Sequence, residues 1–478
     1  MPALQHVTIE AMDPLRFESV LSIGEFEALR DLIADGARDL HGQVIWNVNS
    51  TAKGGGVVEM LRPLLGYSRG AGVDARWAVI SGGPEFFVIT KRIHNRLHGF
   101  AGDGGPLGAA EHEIYDQTLA ANAPDLVELV HPRDVVILHD PQTAGLARAV
   151  RETGATVIWR CHVGLDGAND YARDAWSFLR GYVLDAHRFV FSRGGFAWEG
   201  LPRERITVIH PSIDAFAPKN ADQSSEQSQA ILSTAGIVPR QDTSQPTFTR
   251  SDGSPGRVDR RAVMVQDEPI GAEDRLVVQV SRWDSLKDPL GVLGAFVNHV
   301  DSASGARLML VGPSTEAVAD DPEGAQVLAA VLEARDALPG QLRRLVHLVS
   351  LPMDDIEENA AIVNAVQRTA SVVVQKSLAE GFGLTVAEAM WKERPVVASR
   401  IGGIRDQIED GRSGVLISDP HDLKAVGEAI GGLLADRESA ARMGDAAHAS
   451  VQQHFLGPQH LGRYFEVIRR LAFERVSP

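Results

Sequence analysis

The chain has 478 residues, 44% apolar and 23% charged, an ordinary globular composition and too much chain for one typical core, so two or three domains are expected. With 47 basic against 63 acidic residues the net charge is −16, which argues against a general nucleic-acid or anionic-membrane surface and requires any anionic ligand to be held locally. A single cysteine, Cys161, excludes an intrachain disulfide and reads as a buried thiol; the N-terminus has no signal-like pattern and no run of 18 apolar residues occurs, which reads as a cytoplasmic, non-membrane protein.

Residues 1–40 read as an N-terminal extension, and residues 41–219 as a first domain. Its strand candidates are QVIWNVN (43–49), DARWAVI (74–80), DVVILHD (134–140), ATVIWRCH (155–162), RFVFS (188–192) and ITVIH (206–210). These nearly continuous apolar runs suit strands covered on both faces, a parallel sheet with crossover helices. In such sheets ligands bind beyond the carboxyl ends of the strands, so the turns there matter most. The first turn runs Asn49, Ser50, Thr51 and then Gly54, Gly55, Gly56 before a helix: glycines admit a ligand close to the backbone, and the helix N-terminus offers N–H groups to an anion. It matches neither G-x-G-x-x-G nor the Walker pattern, and a plain flexible turn explains it equally well. His139, Asp140 and His162 also stand at strand ends, where a lone histidine is more often structural than catalytic.

Residues 220–269 read as a polar connector; within it 220–261 is rich in Ser, Gln, Asp, Gly and Pro, and is expected to be mostly exposed loop with SQAILSTAG as a short helix. A second domain of the same grammar covers 270–440, with strands at 275–281, 306–312, 344–350, 371–377, 395–399 and 414–418. After its first strand, VSRWDSLKDP places Arg282 and Lys287 where two cations could clamp a diphosphate, or simply sit solvated. Further on, QKSLAEGFGL reads as a glycine loop holding Glu380, and TVAEAMWKE as a helix whose first turn is closed by a Thr385–Glu388 capping box. Gly402 and Gly403 open another helix near the same edge, as a backbone cradle or as a turn. Residues 441–478 are expected as helices packing back on the first domain. No His, Cys, Asp and Glu grouping has metal-site spacing and no G-x-S-x-G elbow occurs, so no tightly bound cofactor and no serine hydrolase is expected; Mg2+ is possible as a companion of a diphosphate but has no ligand motif.

The glycine run, the Arg282 and Lys287 pair, and E-x7-E at Glu380 and Glu388, in that order, resemble a retaining nucleotide-sugar glycosyltransferase of the GT-B architecture. More narrowly, NVNSTAKGGGVVEML, EFFVITKRIHNRLHG (85–99), WRCHVG, HPSIDAFAPKN and SLAEGFGLTVAEAMWKERPVVASRIGGIRDQIEDGRSGVLISDP are similar to the trehalose glycosyltransferring synthases, over roughly residues 40–220 and 270–470 but not the extension or the connector. The resemblance implies an α/β fold of two doubly wound Rossmann-like domains facing a central cleft. It implies NDP-glucose plus glucose giving α,α-trehalose plus NDP, with the donor's anomeric configuration kept. Arg282 and Lys287 would hold the diphosphate as leaving group, Glu380 the hydroxyls of the transferred glucose, and His162 would sit near that sugar. Donor contacts would come from Gly54, Gly55, Gly56, Gly381, Phe382, Gly383, Leu384, Gly402 and Gly403, with Glu388 on the ribose. The acceptor would lie on Asn49, Glu85, Lys91, Asn95 and Asp140. The partners implied are a nucleotide-sugar donor and a free sugar acceptor, with a homodimer as the assembly. A trehalose phosphorylase, a transferase with another sugar or cyclitol acceptor, a GT-B epimerase and a non-catalytic nucleotide-sugar sensor are the alternatives; a ribose contact at Glu388 favours a nucleotide donor.

Overall fold

The apolar runs become the parallel strands of two sheets. The computed structural model describes residues 4–53, 55–239, 245–315 and 322–476. It divides into two units, one made of the chain up to Ser212 together with the stretch from Phe455 onward, the other of Ile213–His454.

In the first unit the strands are β1 (Leu4–Val7), β2 (Val44–Asn49), β3 (Asp74–Ile80), β4 (Val135–His139), β5 (Thr156–Cys161), β6 (Arg188–Phe191) and β7 (Ile206–Val208). Their order is β1-β3-β2-β4-β5-β6-β7. All neighbours run parallel except β1, which pairs antiparallel with β3 from Leu4 against Ile80. Side chains alternate across the sheet, so each strand feeds two cores. Trp46, Val48, Val136, Leu138, Val157 and Trp159 pack on one face. Ile45, Ile137, Ile158 and Val190 pack on the other, against Tyr464, Phe465 and Ile468 of the Gly457–Val476 helix. Toward the carboxyl ends of the strands this second face turns polar: Asn47, His139 and Arg160, all buried, continue the rows of Ile45, Ile137 and Ile158.

The second unit repeats the plan with β10 (Val263–Val265), β11 (Arg275–Val280), β12 (Ala306–Pro313), β13 (Val346–Leu351), β14 (Val372–Gln375), β15 (Val396–Ser399) and β16 (Val415–Ile417), after a small hairpin of β8 (Thr247–Thr249) and β9 (Pro255–Arg257). The order is β10-β13-β12-β11-β14-β15-β16, with β10 antiparallel and the rest parallel. Both sheets therefore reverse their winding beside the first parallel strand, at β2–β4 and at β11–β14, the place where ligands of open α/β sheets bind.

The stretch 220–261 departs from its expected character of exposed loop. The helix Ser225–Thr234 covers the expected SQAILSTAG segment and is capped by the Ser224 hydroxyl, and Ala230, Ile231, Leu232, Ile237, Phe248 and Val258 are buried. Arg250 pairs with Asp355 at 2.7 Å and Glu357 at 3.0 Å, and the Glu358 carboxylate accepts from the Asp259 and Arg260 amides at 2.7 and 2.6 Å. The partners of this stretch lie about a hundred residues away, at Asp355 and on the Ile356–Thr369 helix that it caps, and a polar composition does not show them.

Candidate active site

In the second unit a turn and a loop meet at the β11–β14 switch point. Leaving β11, Asp284 accepts from the Leu286 amide at 2.8 Å and starts the short Ser285–Lys287 turn. Asp288 follows in the left-handed region at φ 48°, where a non-glycine residue needs support. It has that support: its carboxylate accepts from the Gly291 amide at 2.9 Å and pairs with the buried Lys376 ammonium. The turn is then fastened to the loop after β14 by the Leu378 amide, which donates to the Leu286 carbonyl at 2.7 Å, and to β11 itself by Gln279, which donates to the Lys287 carbonyl at 2.7 Å. The consequence is that Lys287 donates to Glu380 Oε2 at 2.5 Å, an oxygen that also accepts from the Ser377 hydroxyl at 3.3 Å. Arg282, on the same turn, is turned to Asp284 at 2.8 Å, and its side chain is 58% exposed. Each cation of the sequence-predicted clamp is thus held against a carboxylate, and Glu380 joins Lys287.

Gly402 and Gly403 form the wall behind this loop. A Cβ on Gly402 would fall 1.9 Å from the Glu380 carbonyl oxygen, and one on Gly403 would fall 2.7 Å from the Phe382 Cα. The Gly403 amide donates to the Gly381 carbonyl at 2.9 Å, so that donor is engaged within the protein, and Gln407 donates to the Phe382 carbonyl at 2.5 Å. The two glycines are required because the Glu380–Gly383 backbone passes directly over them.

The expected capping box is not formed. Gly383, at φ 86°, is the N-cap of the Leu384–Trp391 helix and no side chain caps it, so Thr385 and Glu388 lie inside the helix. A left-handed glycine starts the helix two residues before Thr385, which places both residues past the cap position that S/T-x-x-E requires. Glu388 is buried instead, its Oε1 3.6 Å from the Lys219 ammonium. Lys392, one turn on, donates to Asn220 Oδ1 at 3.1 Å, Gln367 Oε1 at 2.8 Å and the Glu388 carbonyl at 3.0 Å, and burial pulls its ammonium well below the ordinary lysine range. Lys219 and Asn220 are thereby fixed beside Glu388.

In the first unit the polar ends of β2, β4 and β5 form a second group. Asn49 accepts from the Trp77 indole at 2.8 Å and donates to the Thr51 carbonyl at 2.7 Å, shaping the turn toward the glycine run. Gly55, at φ 83°, is the N-cap and Gly56 the first residue of the Gly56–Gly70 helix; Gly54 lies outside the described residues. Asp140, at φ 63°, accepts from the His162 amide at 2.8 Å. Burial raises its carboxyl to about 7, against the opposing pull of that amide and of Arg160. His139 bonds His162 Nε2 through Nδ1 and Asn47 Oδ1 through Nε2, both at 3.0 Å, and the imidazoles stack with 10° between their planes. Glu85 and Lys91 are exposed and Asn95 half-buried along the Pro84–Leu97 helix, and among the described residues no hydrogen bond ties them to Asp140 or His162. Cys161 is buried, and burial pushes its thiol above the usual range. Among the described residues no group of three or more His, Cys, Asp or Glu could hold a metal ion, and no helix is long and apolar enough to cross a membrane.

The sequence motifs give no role to Lys219, Asp288, Lys376 and Ser377, which brace the glutamates and Lys287, or to Asn47 and Arg160. The strand parity on β2, β4 and β5 was the available signal for Asn47 and Arg160, since it sets them on one face with His139 and His162.

Residues 47–198 match the family model "Trehalose synthase, N-terminal domain", and residues 261–450 match "Glycosyl transferases group 1". The chain is 34% identical to a trehalose synthase of Thermococcus litoralis over 95% of this chain and 96% of that one. It is 24% identical to a trehalose phosphorylase of Pleurotus pulmonarius over 84% of this chain and 54% of that one. The structure of a UDP-forming α,α-trehalose-phosphate synthase from Burkholderia xenovorans, in complex with glucose-6-phosphate, superposes with a TM-score of 0.65 at 14% identity, covering 91% of this chain and 100% of that one. That likeness shows a shared fold.

Proposed function

The chain belongs to the trehalose synthase family of glycosyltransferases, and on that premise we propose that it moves glucose from an NDP-glucose donor to the anomeric hydroxyl of free glucose, giving α,α-trehalose and NDP with retention. The observation that carries this reading is the Lys287–Glu380 pair, 2.5 Å apart at the β11–β14 switch point, beside the turn that also bears Arg282.

In this reading Arg282 and Lys287 bind the donor diphosphate and stabilise the charge it gains on leaving, and one such well-placed donor contributes about 3 kcal/mol. Glu380 accepts from hydroxyls of the transferred glucose, and its bond to Lys287 keeps sugar and leaving group in one frame. Glu388 holds the ribose. The Gly381–Leu384 loop, with Gly402 and Gly403 behind it, lies along the donor, and Gly55 and Gly56 contribute donor contacts. His162 sits near the transferred sugar. The acceptor meets Asp140, Glu85, Lys91 and Asn95, while Asn49, already engaged by Trp77 and Thr51, shapes the neighbouring turn.

The bond from the anomeric carbon to the phosphate oxygen breaks, the bond to the acceptor oxygen forms on the same face, and the acceptor proton passes to the departing phosphate. No separate strong base is required, so the two glutamates need not act as the acid and base of a glycosidase. The enzyme is proposed to work as a cytoplasmic homodimer, and light scattering of the purified chain checks the assembly.

Mixing the purified protein with UDP-, ADP- or GDP-glucose and glucose should release NDP in step with trehalose. Phosphate-dependent loss of trehalose to glucose 1-phosphate would identify a phosphorylase instead. Donor consumption without acceptor would identify an epimerase, and tight donor binding without turnover a sensor.

A further inference from the structure

We infer that Asn47 and His139 are positioning residues that hold His162 as the neutral Nε2–H tautomer, so that its Nδ1 lone pair is presented as an acceptor for a hydroxyl of the transferred sugar. This rests on the proposed reading only for the identity of the hydroxyl.

The direction of the chain of bonds follows from its first acceptor. Asn47 Oδ1 has no proton, so the 3.0 Å contact with His139 Nε2 makes that nitrogen the donor. A neutral imidazole with Nε2–H carries a lone pair on Nδ1, which must then accept across the 3.0 Å contact from His162 Nε2–H. His162 is left with an unprotonated Nδ1, which makes no hydrogen bond among the described residues. The residue keeps 8% exposure while His139 and Asn47 are more deeply buried, so the far end of the chain is the one that a ligand reaches.

Arg160 stands next to His139 in the β4–β5 register and is fully buried. Its guanidinium donates only to neutral acceptors, the Phe191 carbonyl at 3.2 Å and the Ser192 hydroxyl at 3.3 Å, and among the described residues no carboxylate forms an ion pair with it. An uncompensated buried cation opposes a second positive charge beside it. Among the described residues, the other titratable groups facing the pair are Asp140, whose carboxylate accepts from the His162 amide, and His460 and Tyr464 on the Gly457–Val476 helix. Burial and then Arg160 hold both His139 and His162 below the ordinary histidine range, so neither imidazole gains a proton near neutral pH. Histidines that only filled the core would require neither a fixed proton direction nor an accessible acceptor end.

The test is long-range 1H–15N correlation of the full-length protein labelled at histidine nitrogens, with His162 assigned by its loss in His162→Gln. The expected wild-type spectrum shows His162 protonated at Nε2 and bare at Nδ1 throughout the neutral pH range. A proton on Nδ1, or a charged imidazolium, overturns the inference whatever reaction the enzyme performs. His139→Phe should turn His162 into a tautomer mixture and lower kcat/KM about tenfold, the loss of one neutral hydrogen bond. His139→Gln, which keeps an acceptor toward His162 and a donor toward Asn47, should restore most of both; equal loss in the two variants with an unchanged His162 spectrum also overturns it. Absence of trehalose with the expected tautomer present would count against the proposed reaction and leave the positioning intact.

Discussion

Glu388 shows how one residue's surroundings redirect its reading. Outside the cap and buried beside Lys219, its carboxylate has no part in starting the helix. Glu388→Gln should therefore leave the far-UV spectrum and the helix intact and raise the KM for donor about tenfold, the scale of a charge-assisted hydrogen bond. Normal donor KM with a large loss of thermal stability would assign Glu388 to structure alone. Asp140 makes a pH prediction. Its folded pKa, raised to about 7 by burial, lies above its unfolded value, so the native state binds the proton more tightly. Ionising it lowers stability as pH rises from the ordinary carboxylate range through about 7, and the penalty is absent at lower pH. Asp140→Asn should melt higher than wild type at neutral pH, with the difference shrinking to nothing in acid. A constant difference across that range would contradict the assignment.

At the scale of elements, the loop carrying Glu380 depends on the glycines beneath it. A Cβ at Gly402 meets a backbone oxygen at 1.9 Å, so the loop must move rather than a side chain turn aside. Gly402→Ala should cost about 1–3 kcal/mol of stability. It should also lower kcat more than Lys287 or Glu380 placement alone would suggest, read by thermal melting and steady-state kinetics; wild-type kinetics would mean that the loop tolerates the shift. Much of this level was legible. Among the described residues the twelve parallel strands of the two large sheets follow their apolar runs, ten of them inside a sheet where both faces are covered. Edge strands β1 and β10 and the β8–β9 hairpin, of three or four residues each, are too short to carry a period. The place of Glu380 in the loop before the Leu384–Trp391 helix was legible because a glycine run there gives the carboxylate no helical task. The capping box was misread because Gly383, in the left-handed region, starts the helix before Thr385. The braces of Lys287 were not legible, since Asp288 and Lys376 are 88 residues apart and only the sheet order brings β11 beside β14.

At the scale of the whole molecule, the first unit is completed by the far end of the chain. Tyr464, Phe465, Val467, Ile468 and Leu471 cover Ile45, Ile137, Ile158 and Val190, and Arg188 pairs with Glu474 at 2.7 Å. Burying such side chains contributes roughly 1.5–3 kcal/mol each. Removal of residues from Gly457 onward should unfold the first unit, seen as loss of its protease resistance while fragments of the second survive; a truncated chain with wild-type melting would refute this.

The proposed reaction is a retained, 1,1-linked transfer from a nucleotide-activated glucose. Carbon-13 NMR of the product formed from donor labelled at the anomeric carbon, with unlabelled glucose as acceptor, tests it most directly. A single α,α-linked disaccharide carrying label at one anomeric carbon, with NDP released in equal amount, is the expected result. A β-configured linkage, a bond to any other hydroxyl of the acceptor, or label recovered only in an epimerised donor would contradict it.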